Sequence, residues 1–300
     1  MYKTILLSIV SLFVIYSEIA RAESMSSGVQ NIPAPKPLFF APLPTSNSEL
    51  NLVKIQPVAD YLGQVLNRPV KPKLYQSYDD IIQALLNNEI QFAELGPLPY
   101  LNLKGKSANI VPLVTVNKTP NTSLYECVLA APFDGIQSIE ELNTLERPSV
   151  ALTQPLSTCG WLVTNHQLKE HNFELQKNDY TYLGSHQKVA LALIRKQYSV
   201  GGLARFIAER YQPLGLEILQ SETMPPFILV ANTQQLSPKE LKEVTKALLN
   251  YKPAAHKDFN SLGFSLYSPE LFNDFTKRYP NRTVPMQNST RSKDSLGDQP

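Results

Sequence analysis

The sequence has little of what defines several specialised protein classes. It contains only two cysteines, Cys127 and Cys159, without CxxC spacing or a neighbouring histidine pair, which excludes a disulfide-framed miniprotein and a zinc motif. Basic residues barely outnumber acidic ones, 28 against 26. The chain therefore has no general electrostatic attraction to nucleic acid or to an anionic membrane. Any anion must therefore be bound by local groups. What is present is 43% hydrophobic residues in a chain of 300, enough for a substantial core in one large domain or two smaller ones.

Long apolar runs are missing except near the N-terminus. Lys3 precedes an apolar run over 5–16 that is too short to cross ~30 Å of hydrocarbon, and Ala20-Arg21-Ala22 follows it. This order predicts a cleavable signal peptide over 1–22 and export to the periplasm. No cysteine lies near the junction, so we expect no lipid anchor. An uncleaved amphipathic or core helix is the alternative.

The rest of the chain alternates short apolar runs with helical periods. Residues 23–36 are rich in Ser, Gly and Pro and predict a flexible lead-in, and the polar residues 286–300 predict a disordered tail. Between them the alternation indicates an α/β protein, and it is repeated over 149–220 as a second α/β unit that includes a helix ending at Tyr211. Capping patterns predict four helix starts, at 46–49, at Ser77 with Asp80, at 138–141 and at Ser237 with Glu240.

The segment from Pro155 to Gly160 stands where a predicted strand passes into a helix. Backbone N–H groups and the hydroxyls of Ser157 and Thr158 converge there, which favours an anion cradle at a helix N-terminus, although an ordinary helix cap gives the same pattern. Tyr78, the turn at Gly96 and the segment ending in His186 also follow predicted strands. Open α/β sheets bind ligands at the carboxyl ends of their strands. Taken singly, His186 and Tyr78 are equally compatible with capping or packing roles.

Together these segments resemble the periplasmic substrate-binding proteins of phosphate/phosphite/phosphonate ABC transporters, which have the type II periplasmic-binding-protein fold. The resemblance covers about 38–267. It is carried by Pro57-Val58-Ala59-Asp60-Tyr61-Leu62, Asn67-Arg68-Pro69-Val70, Ser77-Tyr78, the segment 88–97, the segment 155–160 and Gly184-Ser185-His186.

The resemblance implies two lobes, each a mixed sheet flanked by helices, joined by crossover strands. Lobe 1 would comprise 37–126 and 224–285, and lobe 2 would comprise 127–223. A small oxyanion would be captured between the lobes and delivered to an ABC transporter permease. The resemblance further implies a protein that is not an enzyme, uses no cofactor or metal, has no nucleic-acid partner and is a monomer.

The resemblance also assigns ligand-binding residues. The family's Ser-Thr-Ser-Gly turn corresponds to Ser157, Thr158 and Cys159, where the cysteine is a departure that weakens the third side-chain donor. The family's histidine corresponds to His186 and its helix-initiating tyrosine to Tyr78. The turn at Gly96 completes the set.

Two further departures concern the ligand's substituent. Relatives that bind aminoalkylphosphonates have a tyrosine at the position of Leu95 and acids where Phe206 and Pro226 stand here. We therefore expect a ligand without an amino group, such as phosphate, phosphite or a small alkylphosphonate, or an unrelated anion. Arg205 lies nearby, and a solvated helix face is its expected role.

Other functions remain open on the sequence alone. The same fold serves sensor subunits that report a ligand to a membrane receptor or kinase. Cys159 as nucleophile with His186 as base would make a hydrolase, and Tyr180 with Tyr182 would supply part of an iron site. The strand and turn positions of Cys127 and Cys159 give no reason for proximity, so we expect two free thiols.

Overall fold

A computed structural model describes residues 35–45, 48–118, 122–253 and 262–282. The predicted signal peptide, most of the lead-in, the predicted tail and the first residues of a capping box expected at 46–49 lie outside these ranges. The described residues from Pro37 onward belong to one compact unit.

The described residues alternate strands and helices. The strands are β1 Leu38–Ala41, β2 Val70–Pro72, β3 Phe92–Leu95, β4 Ile110–Val116, β5 Tyr125–Pro132, β6 Ser149–Leu152, β7 Asp179–Tyr182, β8 Val200–Ala204, β9 Leu216–Met224, β10 Phe227–Asn232 and β11 Phe264–Leu266. The α-helices are α1 Ser48–Val65, α2 Tyr78–Leu86, α3 Pro97–Leu103, α4 Thr164–Glu170, α5 His186–Ile194, α6 Arg205–Ala208, α7 Pro238–Asn250 and α8 Asn273–Arg278. A π-helical segment, Thr158–Val163, precedes α4.

The strands form two mixed sheets flanked by helices, as predicted. The first has the order β11-β4-β10-β3-β1-β2, with β1 parallel to both β2 and β3, and β10 antiparallel to β3 and β4. The second has the order β7-β6-β8-β5-β9, with β6 parallel to β7 and β8, and β5 antiparallel to β8 and β9. We call the parts built on these sheets the first and second lobes.

The chain passes between the sheets twice, from β4 to β5 and from β9 back to β10. Only Pro225 and Pro226 separate β9 from β10. The carboxyl ends of β2, β3, β6 and β7 lead into the segments that carry the predicted ligand-binding residues, so the sheets place these segments at the boundary between the lobes.

Local sequence explains several helix starts. Ser77 and Asp80 form a capping box at α2, in which the Ser77 hydroxyl accepts from the Asp80 N–H at 3.1 Å. Ser237 and Glu240 do the same for α7, where Pro238 occupies the first turn. Both starts agree with the sequence prediction.

Other elements differ from the sequence-based expectation. β4 was not predicted because Pro112 interrupts its apolar run; the structure accommodates this proline at a bulge in β4 itself, where Leu113 is the extra residue between Val114, opposite Leu229, and Pro112, opposite Val230. The helix expected from Ser138 is a 3₁₀ segment, Glu140–Thr144, and α6 is a single turn that ends well before Tyr211. No helix among the described residues is long and apolar enough to cross a membrane.

The prediction of two free thiols is wrong. Cys127 and Cys159 form a disulfide with Cα atoms 4.9 Å apart. Cys127 lies on β5 opposite Ala204 of β8, and the π-helical segment that contains Cys159 packs over these strands. The two cysteines meet through this packing, which their separation of 32 residues in the sequence did not reveal.

Candidate functional site

The structure brings the six predicted ligand-binding residues together around one small cavity at the boundary between the lobes. Tyr78 and Gly96 come from the first lobe, and the other four come from the second; the six are Tyr78, Gly96, Ser157, Thr158, Cys159 and His186. The empty space, including solvent at its mouth, is about 250 Å³.

The turn after β6 forms the floor of this cavity. The Ser157 hydroxyl caps the π-helical segment by accepting from the Gly160 N–H at 2.9 Å. The first bond of the segment runs from the Leu162 N–H to the Ser157 carbonyl, so the N–H groups of Thr158 and Cys159 precede it and can bind an anion. The turn is buried, with Ser157 only 1% exposed.

His186 is held as a neutral hydrogen-bond donor. Its Nδ1 accepts from the Ala204 N–H at 3.2 Å, which places the ring proton on Nε2. Burial of the imidazole lowers its pKa to about 4. The Ser185 hydroxyl caps α5 immediately before it by accepting from the Lys188 N–H. The Ser185 cap therefore fixes the position of this side chain, and the N–H of Ala204, on β8, fixes its tautomer.

Two buried tyrosines add further hydroxyl groups. Burial raises the pKa of Tyr78, and a hydrogen bond with Ser157 partly opposes the rise. Burial likewise raises the pKa of Tyr125, against a bond with Thr158. Both phenols therefore stay protonated at any physiological pH. Tyr125 was not predicted as a site residue; its place at the start of a crossover strand was the available signal.

Gly96 allows the lobes to approach closely. A Cβ at this position would lie 3.3 Å from Thr158 Oγ1 and 3.8 Å from Phe227 Cε1. The Leu98 N–H, in the first turn of α3, donates to Thr158 Oγ1 at 3.0 Å. The first lobe thus contacts the cradle directly through backbone atoms.

Gln154 is a second residue that sequence reasoning missed. Its side-chain oxygen accepts from the Tyr78 N–H at 3.0 Å, and its nitrogen donates to the carbonyls of Gln76 at 3.2 Å and Gly184 at 2.6 Å. Gln76 and Tyr78 belong to the first lobe and Gly184 to the second. One buried amide therefore links the loops on both sides of the cavity.

The cavity has an aromatic side rather than an acidic one. The rings of Tyr125 and Phe227 lie 4.5 Å apart, and Phe206 packs against both at 6.4 and 6.0 Å. Among the described residues that line the cavity, none is acidic; those not already predicted are Leu43, Pro99, Tyr125, Ala204 and Phe227. Arg205 does not line it and instead pairs with Glu126 at 2.5 Å and Glu209 at 3.7 Å.

The disulfide corrects two expectations for Cys159. Its sulfur carries no hydrogen, so it cannot donate as a thiol, and only its backbone N–H is available to an anion. Nor can a disulfide-bonded sulfur act as the thiolate nucleophile of a hydrolase. Tyr180 and Tyr182, considered for iron, stack edge to face with centroids 6.0 Å apart, and Tyr180 is buried.

Comparison with known proteins agrees with this architecture. Residues 40–270 match the family model of the periplasmic substrate-binding protein of phosphonate ABC transporters. The chain belongs to this family of transport components, whose members bind a solute in the periplasm, and the resemblance and fold class read from the sequence are confirmed.

Two solved structures show the same fold. PhnD1 from Prochlorococcus marinus in complex with methylphosphonate has a TM-score of 0.72 and 17% identity, covering 82% of this chain and 98% of that chain. The binding protein component of a phosphonate ABC transporter from Pseudomonas aeruginosa has a TM-score of 0.72 and 20% identity, covering 81% of this chain and 85% of that chain. At these identities the likeness shows the fold.

Proposed function

We propose that this protein binds a small oxyanion of the phosphate, phosphite or phosphonate type in the cavity between its lobes and delivers it to an ABC transporter permease. The observation that carries the proposal is the convergence of neutral donors from two lobes on one buried cavity. The backbone N–H groups of Thr158 and Cys159, the His186 Nε2–H and the Tyr78 hydroxyl are these donors.

Neutral donors are sufficient for this task. A hydrogen bond to a charged group contributes about 1.5–3 kcal/mol, so a few together approach the roughly 8 kcal/mol of micromolar binding. The cradle also lies at a helix N-terminus, where the helix dipole favours an anion by about 0.3–1 kcal/mol. In a buried site these bonds are stronger than in water.

We further propose how the protein reaches the periplasm and how its lobes close around the anion. A signal peptide over 1–22 exports the chain without a lipid anchor. Lobe 1 at 37–126 and 224–285 closes against lobe 2 at 127–223, and closure excludes water from the anion and presents a closed surface to the permease. Copurification with a permease supports delivery, whereas copurification with a kinase ectodomain would make the protein a sensor subunit.

The aromatic side of the cavity supports a ligand without an amino group. An ammonium placed beside Phe227 in this cavity would leave water without an acidic partner from the described cavity lining. We therefore propose that 2-aminoethylphosphonate is not the preferred ligand.

Isothermal titration calorimetry tests the proposal. The mature protein should bind at least one of phosphate, phosphite and methylphosphonate, and Thr158→Val combined with His186→Phe should weaken that binding by at least about tenfold, since two hydrogen-bonding side chains are removed. Ser221→Ala, on the exposed part of β9, is the matched control and should bind like the wild type. The absence of binding by any of these anions to folded protein would refute the proposal.

A further inference from the structure

A second cavity adjoins the proposed anion site and differs from it in charge. The two cavities share Leu43 and Phe227 as lining residues. The second encloses about 420 Å³ of empty space, including solvent at its mouth, and its lining includes Lys54, Glu94 and Lys118. The second cavity therefore contains charged side chains, whereas the anion site beside it is lined by neutral groups.

The end of β3 sets the distance between the anion site and the second cavity. Glu94 and Gly96 are two residues apart in extended backbone, so both face the same side of the strand, about 7 Å apart along it. Gly96 lines the anion site and Glu94 lines the second cavity. A substituent of two or three bonds on an anion bound near Gly96 extends about 2.5–4 Å, roughly half of that distance.

Glu94 is already neutralised by a neighbour. Lys118 Nζ lies 2.6 Å from Glu94 Oε1, and the two side chains are only 7% and 12% exposed. The same ammonium lies 5.1 Å from the centroid of the Phe227 ring. This buried pair contributes no net charge to the cavity, and Glu94 is not available as the sole partner of a ligand ammonium.

Lys54 adds positive charge beyond this pair. Burial, together with the charges of Arg210 and Lys118, lowers its pKa to about 8, so it remains mostly protonated at pH 7. The cavity lining therefore holds two ammonium groups against one carboxylate, and exposed Arg210 adds to the same field. A negative group placed here would reduce repulsion among the cations.

We propose that the second cavity holds the substituent of the bound oxyanion, and that this substituent carries a second negative charge, a carboxylate or a second phosphoryl group, held by Lys54 beside the Glu94–Lys118 pair. The inference rests on the proposed function and narrows its ligand class. Phe206 of the second lobe also lines this cavity, so lobe closure covers the substituent as well as the oxyanion.

Calorimetry with four compounds tests the inference at pH 7 and low salt. Phosphonoacetate or methylenediphosphonate should bind about tenfold tighter than methylphosphonate, the gain of roughly one charge-assisted hydrogen bond. The compound of the two that binds tighter identifies the second group as carboxylate or phosphoryl. 2-Aminoethylphosphonate should bind most weakly of the four.

Variants of Lys54 locate the effect. In Lys54→Met, the tighter binding of the dianionic compound relative to methylphosphonate should fall to below about threefold. Lys54→Arg should retain most of this difference in affinity because the positive charge stays. Lys104→Met, which removes an exposed lysine outside both cavities, is the matched control and should retain the full advantage.

The outcomes separate the two proposals. Equal binding of methylphosphonate and both dianionic compounds, an advantage that survives Lys54→Met, or tightest binding of 2-aminoethylphosphonate would overturn the inference while leaving oxyanion capture intact. Failure of phosphate, phosphite and all four compounds to bind would refute the proposed function itself. If Lys54→Met does not fold, the wild-type comparison decides.

Discussion

At the scale of single residues, the histidine in the proposed anion site combines a fixed tautomer with a suppressed charge. His186 Nδ1 accepts a hydrogen bond from the Ala204 N–H, so the ring proton is on Nε2. Burial prevents a second proton from binding to the imidazole at neutral pH. A charged imidazole would attract anions more strongly but less selectively, because attraction depends on charge and not on the direction of a donor. The neutral ring instead favours oxygens placed along its N–H bond.

The same residue predicts how stability depends on pH. The pKa of His186 is about 4 in the folded protein against an ordinary value of 6.5, so the folded state binds fewer protons than the unfolded state. The neutral form of His186 therefore contributes to the free energy of unfolding in full above about pH 6.5. This contribution, about 3 kcal/mol in total, is lost as the pH falls to about 4.

Unfolding in urea between pH 7 and pH 4 measures this effect. His186→Gln should flatten the fall in unfolding free energy relative to the wild type. His166→Gln is the control, because that imidazole is 31% exposed and lies outside the cavity. Equal slopes for the wild type and His186→Gln would contradict the assignment.

At the scale of elements, a glycine on β8 allows the π-helical segment to lie against the second sheet. A Cβ on Gly202 would lie 2.8 Å from the Cys159 carbonyl oxygen and closer still to the Thr164 side chain. Gly202→Ala should therefore displace the cradle, lower the unfolding free energy by about 1–3 kcal/mol and weaken anion binding.

Chemical denaturation and calorimetry on two glycine variants check this expectation. Gly63→Ala in α1 is the matched control, since its Cβ would make only contacts of 3.4 Å or more and helix propensity favours alanine. Gly202→Ala protein as stable as Gly63→Ala protein would show that the segment can move away from the strand without cost.

The disulfide fastens the same segment to β5. Closing a loop of about 32 residues is worth about 3–4 kcal/mol by loss of chain entropy in the unfolded state. Cys127→Ala with Cys159→Ala should lower the unfolding free energy by that order. Thiol titration of the unreduced, unfolded wild type should detect no free thiol, and finding two would show that the bond does not form.

Sequence patterns predicted these elements unevenly. The capping boxes at Ser77 and Ser237 marked their helices correctly because a cap is a local interaction between residues three apart. The disulfide and β4 were missed because both depend on contacts beyond the local sequence: Cys127 meets Cys159 only after the π-helical segment packs, and Pro112 is accommodated by a bulge at Leu113 when β4 pairs with β10.

At the scale of the whole molecule, one amide joins the loops of both lobes. Gln154 of the second lobe accepts from the Tyr78 N–H and donates to the Gln76 carbonyl of the first. Gln154→Leu should leave these backbone groups without a partner in the closed form and shift the protein toward open conformations. Weaker anion binding and a larger radius of gyration are the expected results.

Small-angle scattering with calorimetry measures both quantities. Gln64→Leu, on the exposed side of α1, is the matched control and should change neither. An unchanged radius of gyration and unchanged affinity in Gln154→Leu would show that the amide does not hold the lobes together.

The candidate site shows why sequence prediction stops where it does. Ser157, Thr158 and His186 could be selected because each follows a strand in a recognisable short segment. Gln154 could not, because its role comes from the approach of one lobe to the other, which no local pattern encodes. For Tyr125 the sequence offered only its place at the start of a crossover strand, and its bond with Thr158 appears only in the folded structure.

The two prolines between β9 and β10 constrain how the lobes move. Each pyrrolidine ring locks φ near −65°, so the Pro225–Pro226 link cannot twist freely about its own backbone. We expect opening to be a swing about one nearly fixed axis, with a narrow range of lobe separations. Distance distributions between spin labels on the two lobes should then show a sharp open population rather than a continuum.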